Sequence, residues 1–339
     1  MLDLDGRGTG IVGPNASGKT SFLEAIYFLA HGRSFRTSTR GRMVGPYGEG
    51  FRVSGRLRHG DRTTQGGVEY SPGGLRIRMA GQELSGISAL SQELPVQIID
   101  PSVHRLIEEG STRRRRLMDW GVFHVKQEFV VPWRRYQRAL MQRNAAVRTG
   151  GQIGETEPWS SELQQTAQVI DELRSRYVAE LQPMFESVSM DLLGFPAELV
   201  YHRGWAADTT LGEALRSSAA RESRLRTTVV GAHRADLEFR IEGRLARDRV
   251  SRGQQKMIAV AFVLAQIALK ARTPGIAETC LLLDDPAAEL DVDNLGKLLK
   301  LLEKVPAQLV ITALHQDGLK GVPIGRVFHV EQGNFSSML

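Results

Sequence analysis

The stretch Gly13-Pro14-Asn15-Ala16-Ser17-Gly18-Lys19-Thr20 matches the pattern G-x-x-x-x-G-K-[ST] of a phosphate-binding loop. Apolar Ile11 and Val12 precede it, and the apolar positions of residues 21–30 repeat with helical spacing. A strand, this loop and a helix in succession form the setting in which the motif binds nucleotides. A glycine-rich turn that matches by chance is the alternative, and the flanking pattern favours the nucleotide site.

The residue types in the loop suit a nucleotide's phosphates. Gly13 and Gly18 leave room for phosphate oxygens to reach backbone N–H groups. Lys19 is predicted to contact the β- and γ-phosphates of ATP and to act in catalysis, and Thr20 to place its hydroxyl on Mg²⁺. Ser21 lies in the first turn of a helix whose dipole favours negative charge. The run from Gly13 to Ser21 is therefore the predicted ATP-binding segment.

A second motif ends an apolar run with two acids, in Cys280-Leu281-Leu282-Leu283-Asp284-Asp285. Four apolar residues followed by carboxylates predict a buried parallel strand that delivers acids to the carboxyl edge of a sheet. Asp284 is the predicted Mg²⁺ ligand, directly or through water, and Asp285 is predicted to orient or deprotonate an attacking water. The alternative is a strand that simply ends in a polar turn.

Between these two motifs lies Ser251-Arg252-Gly253-Gln254, which opens a helix that is apolar nearly all round. Ser251 is a predicted N-cap, and such a helix start offers free backbone N–H groups to an anion. By itself a capped core helix would explain the pattern. The three motifs in this order, however, are typical of an ABC-type ATPase head and distinguish it from other P-loop proteins.

Composition restricts the class of protein further. The net charge is +6 and the pI is near 9.6, with only eight lysines among the 44 basic residues. Arginine forks suit phosphate groups, which indicates a polyanionic partner, although codon bias and ordinary solvated faces would also give this composition. The single cysteine, Cys280, excludes an internal disulfide and a multi-cysteine metal site. No apolar run reaches membrane-spanning length, so we expect a soluble cytoplasmic protein without membrane contact.

The rest of the chain predicts two further structures. Alternating runs at 51–57 and 75–79 indicate an antiparallel β subdomain whose polar face is rich in arginine. Long polar helical patterns at 127–148 and 160–193, separated by a loop at 150–154, indicate a pair of antiparallel helices without a sustained heptad. The predicted fold is α/β, an ABC-type P-loop ATPase head with an antiparallel β subdomain and an inserted helical arm. The predicted parts are 1–125 and 226–339 for the head and 126–225 for the arm.

Several blocks together resemble the RecF family of bacterial recombination and replication-repair proteins, over nearly the whole chain. They are the phosphate-binding loop, His31-Gly32-Arg33-Ser34-Phe35-Arg36, Arg114-Arg115 before Asp119-Trp120-Gly121, Gln142-Arg143-Asn144-Ala145-Ala146, 231–237, 251–254 and 284–291. The resemblance implies an SMC-like head that binds ATP, Mg²⁺ and DNA, both duplex and at gapped or single-stranded junctions. It also implies an ATP-dependent homodimer in which Ser251, Arg252, Gly253 and Gln254 close over the partner's nucleotide.

The same resemblance implies slow, DNA-stimulated ATP hydrolysis that releases the dimer, action with RecO and RecR in loading recombinase at gapped DNA, and association with the nucleoid. Asp285 is one methylene shorter than the glutamate usual in fast ABC ATPases, which favours low turnover. The alternative function is a DNA-bound scaffold in which nucleotide serves assembly without required turnover. A transporter ATPase subunit shares the head motifs but not the arm or the arginine-rich β region.

Some positions depart from the family pattern or keep two interpretations. Only ten residues precede Ile11, where the family usually has complete strands, so either the start lies upstream or the sheet lacks an edge. Ala313 follows the strand 309–312 where ABC ATPases often carry a histidine, and His315 comes two residues later. Ala16 replaces a common loop glycine and should be tolerated if its backbone is not left-handed.

Gln97, in the predicted strand 95–101, corresponds either to the glutamine that senses Mg²⁺ and water in ABC heads, as a catalytic residue, or to a surface residue of the strand. His233, Arg234 and Asp236 are interpreted either as lining the nucleotide or dimer face or as a structural hydrogen-bonded cluster.

Overall fold

A computed structural model describes residues 2–45, 48–149 and 153–338 of the chain. The strands are β1 Gly8–Val12, β2 Phe51–His59, β3 Arg62–Ser71, β4 Gly74–Met79, β5 Gln82–Leu84, β6 Val96–Ile99, β7 Glu198–His202, β8 Asp236–Ile241, β9 Arg244–Leu245, β10 Thr279–Leu283, β11 Ala307–Ala313, β12 Arg326–Glu331 and β13 Asn334–Ser337. The helices are α1 Lys19–His31, α2 Ser88–Glu93, α3 Arg105–Glu108, α4 Ser111–Val125, α5 Val130–Arg148, α6 Ile153–Leu193, α7 Leu211–Leu225, α8 Arg252–Ala271, α9 Pro286–Glu289 and α10 Val292–Leu302.

The chain divides into two units, 1–103 with 271–339 and 104–270. These units do not follow the predicted boundaries at 125/126 and 225/226. Residues 104–125 and 226–270 cluster with the helical arm because α4 packs on β8 and α6, with Met118 and Val122 fully buried. The unit 1–103 with 271–339 is called the P-loop unit below, and 104–270 the helical unit.

The strand before the phosphate-binding loop lies inside a six-stranded sheet of order β13-β12-β1-β11-β10-β6. All neighbours pair in parallel except β12 with β13. β1 is buried along its full length between β11 and β12, as expected for a strand that is covered on both faces. Because the strands are parallel, the ends of β1 and β10 reach the same edge, so the loop and the acids follow strands that stop there.

Helix α1 lies between two layers of the P-loop unit. Leu23 and Ala30 pack with Ile11 and Val310 of the central sheet, whereas Phe28 and Leu29 pack with residues of a second sheet, of order β2-β3-β4-β5. This antiparallel sheet confirms the predicted β subdomain. The helix is therefore fixed from both sides, which fixes the loop at its N-terminus.

The predicted antiparallel arm is α5 and α6, which pack along each other in the helical unit. Residues 150–152 of the predicted connecting loop lie outside the described residues, and 153–154 begin α6 rather than continue a loop. At about 1.5 Å per residue, the 19-residue α5 extends about 28 Å, which limits the length over which it can pair with the 41-residue α6. None of the helices in the described residues combines the length and apolar composition needed to cross a membrane.

A three-stranded sheet, β7-β8-β9, completes the helical unit together with the buried helix α8. Phe185, Phe239 and Phe262 meet edge to face at centroid distances of 5.2–6.0 Å. Arg174, which is fully buried, donates to both carboxylate oxygens of Asp119 at 2.8 and 2.9 Å. A buried guanidinium needs such a partner, because an unpaired charge there would be strongly unfavourable.

Candidate nucleotide site

The phosphate-binding loop is held from the side by the turn between β12 and β13. A Cβ atom on Gly13 would lie 2.2 Å from the Val330 carbonyl oxygen, so this close approach requires glycine. The backbone N–H of Gly333 donates to Ser17 O at 2.9 Å. Gly18, at φ +114°, then turns the chain into α1 without a side-chain cap on the first helical N–H groups. Those uncapped N–H groups are the donors that an anion can use.

Ala16 was expected to be tolerated if its backbone is not left-handed, and the structure does not meet that condition. Its φ is +62°, in the left-handed region, where a Cβ atom crowds the backbone. The alanine therefore keeps the loop in a conformation that glycine adopts at lower cost. The loop geometry, imposed by its neighbours, prevails over the local preference of this residue.

Two side chains show that the loop fits a polyphosphate. Lys19, only 7% exposed, curls over the loop, and its Nζ donates to Gly13 O at 2.6 Å and Pro14 O at 2.9 Å. The Ser17 hydroxyl is buried and has no hydrogen-bond partner among the described residues. A cation, an unused hydroxyl and the uncapped N–H groups of α1 form a donor set that suits phosphate oxygens.

The end of β10 brings the predicted metal ligands together. Thr20 Oγ1 donates to the Asp284 carboxylate, with distances of 3.0 Å to Oδ1 and 3.1 Å to Oδ2. A threonine hydroxyl beside a carboxylate, next to a loop that suits phosphates, provides the hard oxygen ligands that Mg²⁺ prefers. These two residues would hold the ion, which would neutralise developing phosphate charge.

Thr312, at the end of β11, belongs to this arrangement although sequence reasoning did not select it. It is fully buried; its Oγ1 donates to Asp284 Oδ1 at 2.9 Å and accepts from the backbone N–H of Asp285 at 2.9 Å. One hydroxyl therefore positions both acids. The only signal in the sequence was a polar residue that ends the apolar run 309–311.

Asp285 follows immediately, half-buried and at φ +47°. Aspartate tolerates this left-handed conformation better than most residues, and the bond from its N–H to Thr312 fixes it. Burial raises the pKa of the Asp285 carboxyl, the Lys19 ammonium opposes that shift, and the Asp284 carboxylate adds to it. A carboxylate whose pKa is raised is a better proton acceptor near neutral pH.

The Ser251 motif lies in the helical unit at the start of α8. The backbone N–H of Ser251 donates to Gln254 Oε1 at 3.0 Å, and the N–H of Gln254 donates to Ser251 Oγ at 3.3 Å. This reciprocal capping confirms the predicted N-cap. Residues 251–254 are all exposed, and a Cβ atom on Gly253 would meet only Ser251 Oγ, at 3.9 Å. Packing within the chain therefore does not explain glycine at 253.

Gln97 is not a surface residue, since it is 3% exposed in the middle of β6. It pairs with Leu281, three residues before Asp284 along the parallel β10. At about 3.3 Å per residue, that register leaves Gln97 about 10 Å short of the acids. The structure therefore does not bring Gln97 to them, and its catalytic role stays a prediction.

The block 231–237 makes a hydrogen-bonded cluster within the helical unit. His233 Nδ1 lies 2.7 Å from Tyr136 Oη and its Nε2 lies 3.0 Å from Thr228 O, which also accepts from Arg234 Nη2 at 3.1 Å. The Asp236 carboxylate accepts hydrogen bonds from Nε and Nη2 of Arg114, each at 2.8 Å. These contacts support the interpretation of His233, Arg234 and Asp236 as a structural hydrogen-bonded cluster. At the position where ABC ATPases often carry a histidine, Ala313 is buried as the last residue of β11. His315, two residues later, is exposed beyond the strand.

A P-loop after one strand of a parallel sheet, acids after β10 at the same edge of that sheet, and a capped Ser251 motif define the class as an ABC-type ATPase head. Residues 1–335 match the family described as RecF/RecN/SMC N terminal domain. The chain is 38% identical over 335 residues to the DNA replication and repair protein RecF of Azotobacter vinelandii, covering 96% of this chain and 91% of that protein. The RecF of Vibrio parahaemolyticus is 34% identical over 333 residues, covering 96% and 92%. The chain belongs to the RecF family.

Solved structures agree with this assignment. The recombination mediator protein RecF-ATPrS of the RecFOR pathway superimposes with a TM-score of 0.86 at 25% identity, covering 100% of this chain and 94% of that one. An Smc head bound to the C-winged helix domain of ScpA gives a TM-score of 0.58 at 16% identity, covering 99% and 91%. The second likeness concerns the fold alone, and it confirms the predicted SMC-like head.

Proposed function

We propose that this protein is an ATP-dependent DNA-binding protein of recombinational repair and replication restart. ATP binding would drive formation of a homodimer on DNA, slow DNA-stimulated hydrolysis would release it, and the protein would help RecO and RecR to load recombinase at gapped DNA near the nucleoid. The observation that carries the proposal is the contact of Thr20 Oγ1 with both oxygens of Asp284. It joins the phosphate loop to the acidic strand as one site.

Each residue would have a separate task at this site. The Lys19 ammonium would move from the loop carbonyls to the phosphates, and Thr20 with Asp284 would hold Mg²⁺, which supplies charge neutralisation when bound. Asp285 would accept the proton of the attacking water. Thr312 would keep both acids in place through its two hydrogen bonds.

The exposed Ser251 motif supports a shared site. Four exposed residues at a capped helix start, including a glycine without an internal reason, suit contact with a nucleotide held by a second copy. Mixing inactive Lys19→Met with inactive Ser251→Arg tests this arrangement. If the site is shared, turnover should rise clearly above that of either variant alone, because a mixed dimer would hold one complete site of two. A mixture as inactive as its components would refute sharing.

Sedimentation with duplex DNA, with and without ATP or a hydrolysis-blocked analogue, tests the switch itself. Lys19→Met should abolish the ATP-dependent dimer, whereas the control Lys320→Met removes a lysine whose ion pair with Asp317 is exposed and should leave it unchanged. A dimer that survives Lys19→Met would disprove the ATP switch.

The substitution Asp285→Asn distinguishes the turnover-dependent function from the alternative function, a DNA-bound scaffold without required turnover. This substitution should lower the hydrolysis rate by about 10²–10⁴-fold while ATP still binds. Loss of repair in cells that carry the variant would support the turnover-dependent function. Full repair would favour the scaffold.

A further inference from the structure

The antiparallel sheet β2-β3-β4-β5 has one face toward α1 and one toward solvent. Alternation along the strands places Phe51, Val53 and Leu57 on the face that packs with Phe28 and Leu29. The opposite face carries five exposed arginines, Arg52, Arg56, Arg58, Arg76 and Arg78. We call it the arginine face. It plays no part in the nucleotide site described above.

The arginine face has more positive charge than its own carboxylates neutralise. Its acids are Glu69, which pairs with Arg52, and Glu83, which stands opposite Arg78 in the register. Within residues 2–45, 48–149 and 153–338, the side chains of Arg58, Arg76 and Arg78 make no ion pair with Asp or Glu. Exposed guanidinium groups of this kind are complementary to phosphate oxygens.

The shape of the face also suits an extended backbone. Arg58 and Arg52 are six residues apart on β2, which is about 20 Å, and the neighbouring strands are about 4.8 Å apart. The adjacent residues Gly66 and Gly67 in β3 differ in the space available for a side chain. A Cβ on Gly66 would come 2.6 Å from Leu90 Cδ1, whereas one on Gly67 would meet Ser54 Cβ at an ordinary 3.5 Å. Internal packing thus requires Gly66 only, and Gly67 leaves the centre of the arginine face flat.

Side-chain chemistry indicates which nucleic acid fits. Proteins that bind single strands stack bases on aromatic rings, and Phe51 and Tyr70 instead point to the core side. The outward positions of β2, β3 and β4 in the described residues are Arg, Ser, Thr, Gln, Gly and Glu. We propose that the arginine face binds the sugar-phosphate backbone of duplex DNA, with Arg58, Arg76 and Arg78 as its phosphate contacts. This inference rests on the proposed DNA-binding function and locates it.

The test is the salt dependence of binding to a labelled duplex by the full chain. Arg58→Gln, Arg76→Gln and Arg78→Gln together remove three charges. Lys297→Gln and Lys300→Gln on α10, with Lys304→Gln just beyond its end, change exposed lysines and remove the same charge elsewhere in the P-loop unit. Each lost phosphate contact reduces the magnitude of the slope of log K against log salt by about 0.9. For the arginine variant the slope should therefore be about 2.7 smaller in magnitude than for wild type, and the duplex should bind at least about tenfold more weakly. The lysine variant should keep the wild-type slope.

A second pair of variants tests the flat centre without removing arginines. Gly67→Glu and Gly67→Gln have the same size and differ by one charge. The glutamate variant should bind duplex several-fold more weakly than the glutamine variant, and equal binding would overturn the inference.

The outcomes separate the two proposals. If the wild-type chain shows no salt-dependent duplex binding, the proposed function itself fails. If wild type binds with a steep slope and the arginine and lysine variants behave alike, only the assignment to the arginine face is wrong.

Discussion

Thr312→Val removes the hydroxyl that positions both acids and leaves almost the same volume in a buried strand. Asp284 Oδ1 loses a donor at 2.9 Å, and the N–H of Asp285 loses its acceptor at 2.9 Å. The carboxylate keeps Thr20, at 3.0 Å. We expect slow turnover with little change in ATP affinity, because the phosphate loop is untouched while Asp285 is no longer fixed.

The expected loss of stability can be estimated from these two bonds. A hydrogen bond to a carboxylate contributes about 1.5–3 kcal/mol, and a buried N–H without a partner costs about 1–3 kcal/mol. We expect about 3 kcal/mol in total, since the Asp285 N–H is only partly buried and water relieves some of the cost. Thr9→Val is the matched control in the same sheet. Thr9 is fully buried and accepts one neutral bond, from Asp5 N at 2.9 Å, so about 1 kcal/mol is expected.

The assay must report on the P-loop unit. All four tryptophans, at 120, 133, 159 and 205, lie in the helical unit, so their fluorescence follows that unit. Amide hydrogen exchange of β10 and β11 reports the other unit, and tryptophan fluorescence serves as the internal control. Thr312→Val with wild-type protection and turnover, or Thr9→Val with the same losses, would refute the positioning role.

Three further predictions concern other parts of the chain. Ala16→Gly should stabilise the P-loop unit by about 1 kcal/mol, as measured by amide exchange, because glycine relieves the left-handed backbone at φ +62°. Burial lowers the pKa of His233 to about 4 from an ordinary 6.5, so the unfolded chain takes up this proton first as the pH falls. The helical unit should then be fully stable above pH 6.5 and lose up to about 3 kcal/mol between pH 6.5 and 4, by urea unfolding followed through tryptophan fluorescence, and His233→Gln should remove that dependence. Asp119→Ala leaves buried Arg174 without its carboxylate and should cost about 3–5 kcal/mol in the same assay, whereas Glu162→Ala at an exposed ion pair should cost less than about 1 kcal/mol.

The sequence was sufficient where chemistry depends on neighbours along the chain. The loop 13–20, the strand before Asp284 and the cap at Ser251 were all placed correctly, since each is a pattern set by residues that are neighbours along the chain. The arm and the β subdomain also followed from periodicity. The domain boundaries did not, because α4 and α8 join the helical unit through packing that no local pattern shows.

Residues that depend on strand neighbours could not be assigned in advance. Thr312 acts only because β11 lies beside β10, and Gln97 is distant from the acids only because of its register with Leu281. Nothing in a single strand encodes which strand pairs with it.

The sequence by itself predicted which residues would bind phosphates and a divalent ion, because G-x-x-x-x-G-K-[ST] and a buried strand that leads into carboxylates have few other uses. Only the tertiary structure decided how they meet. Parallel pairing brings the ends of β1, β10 and β11 to one edge, where Thr20 reaches Asp284 and Thr312 holds both acids. The tertiary structure also places Ala16 in a left-handed conformation, at φ +62°, which the local preference of alanine disfavours because its Cβ crowds the backbone there.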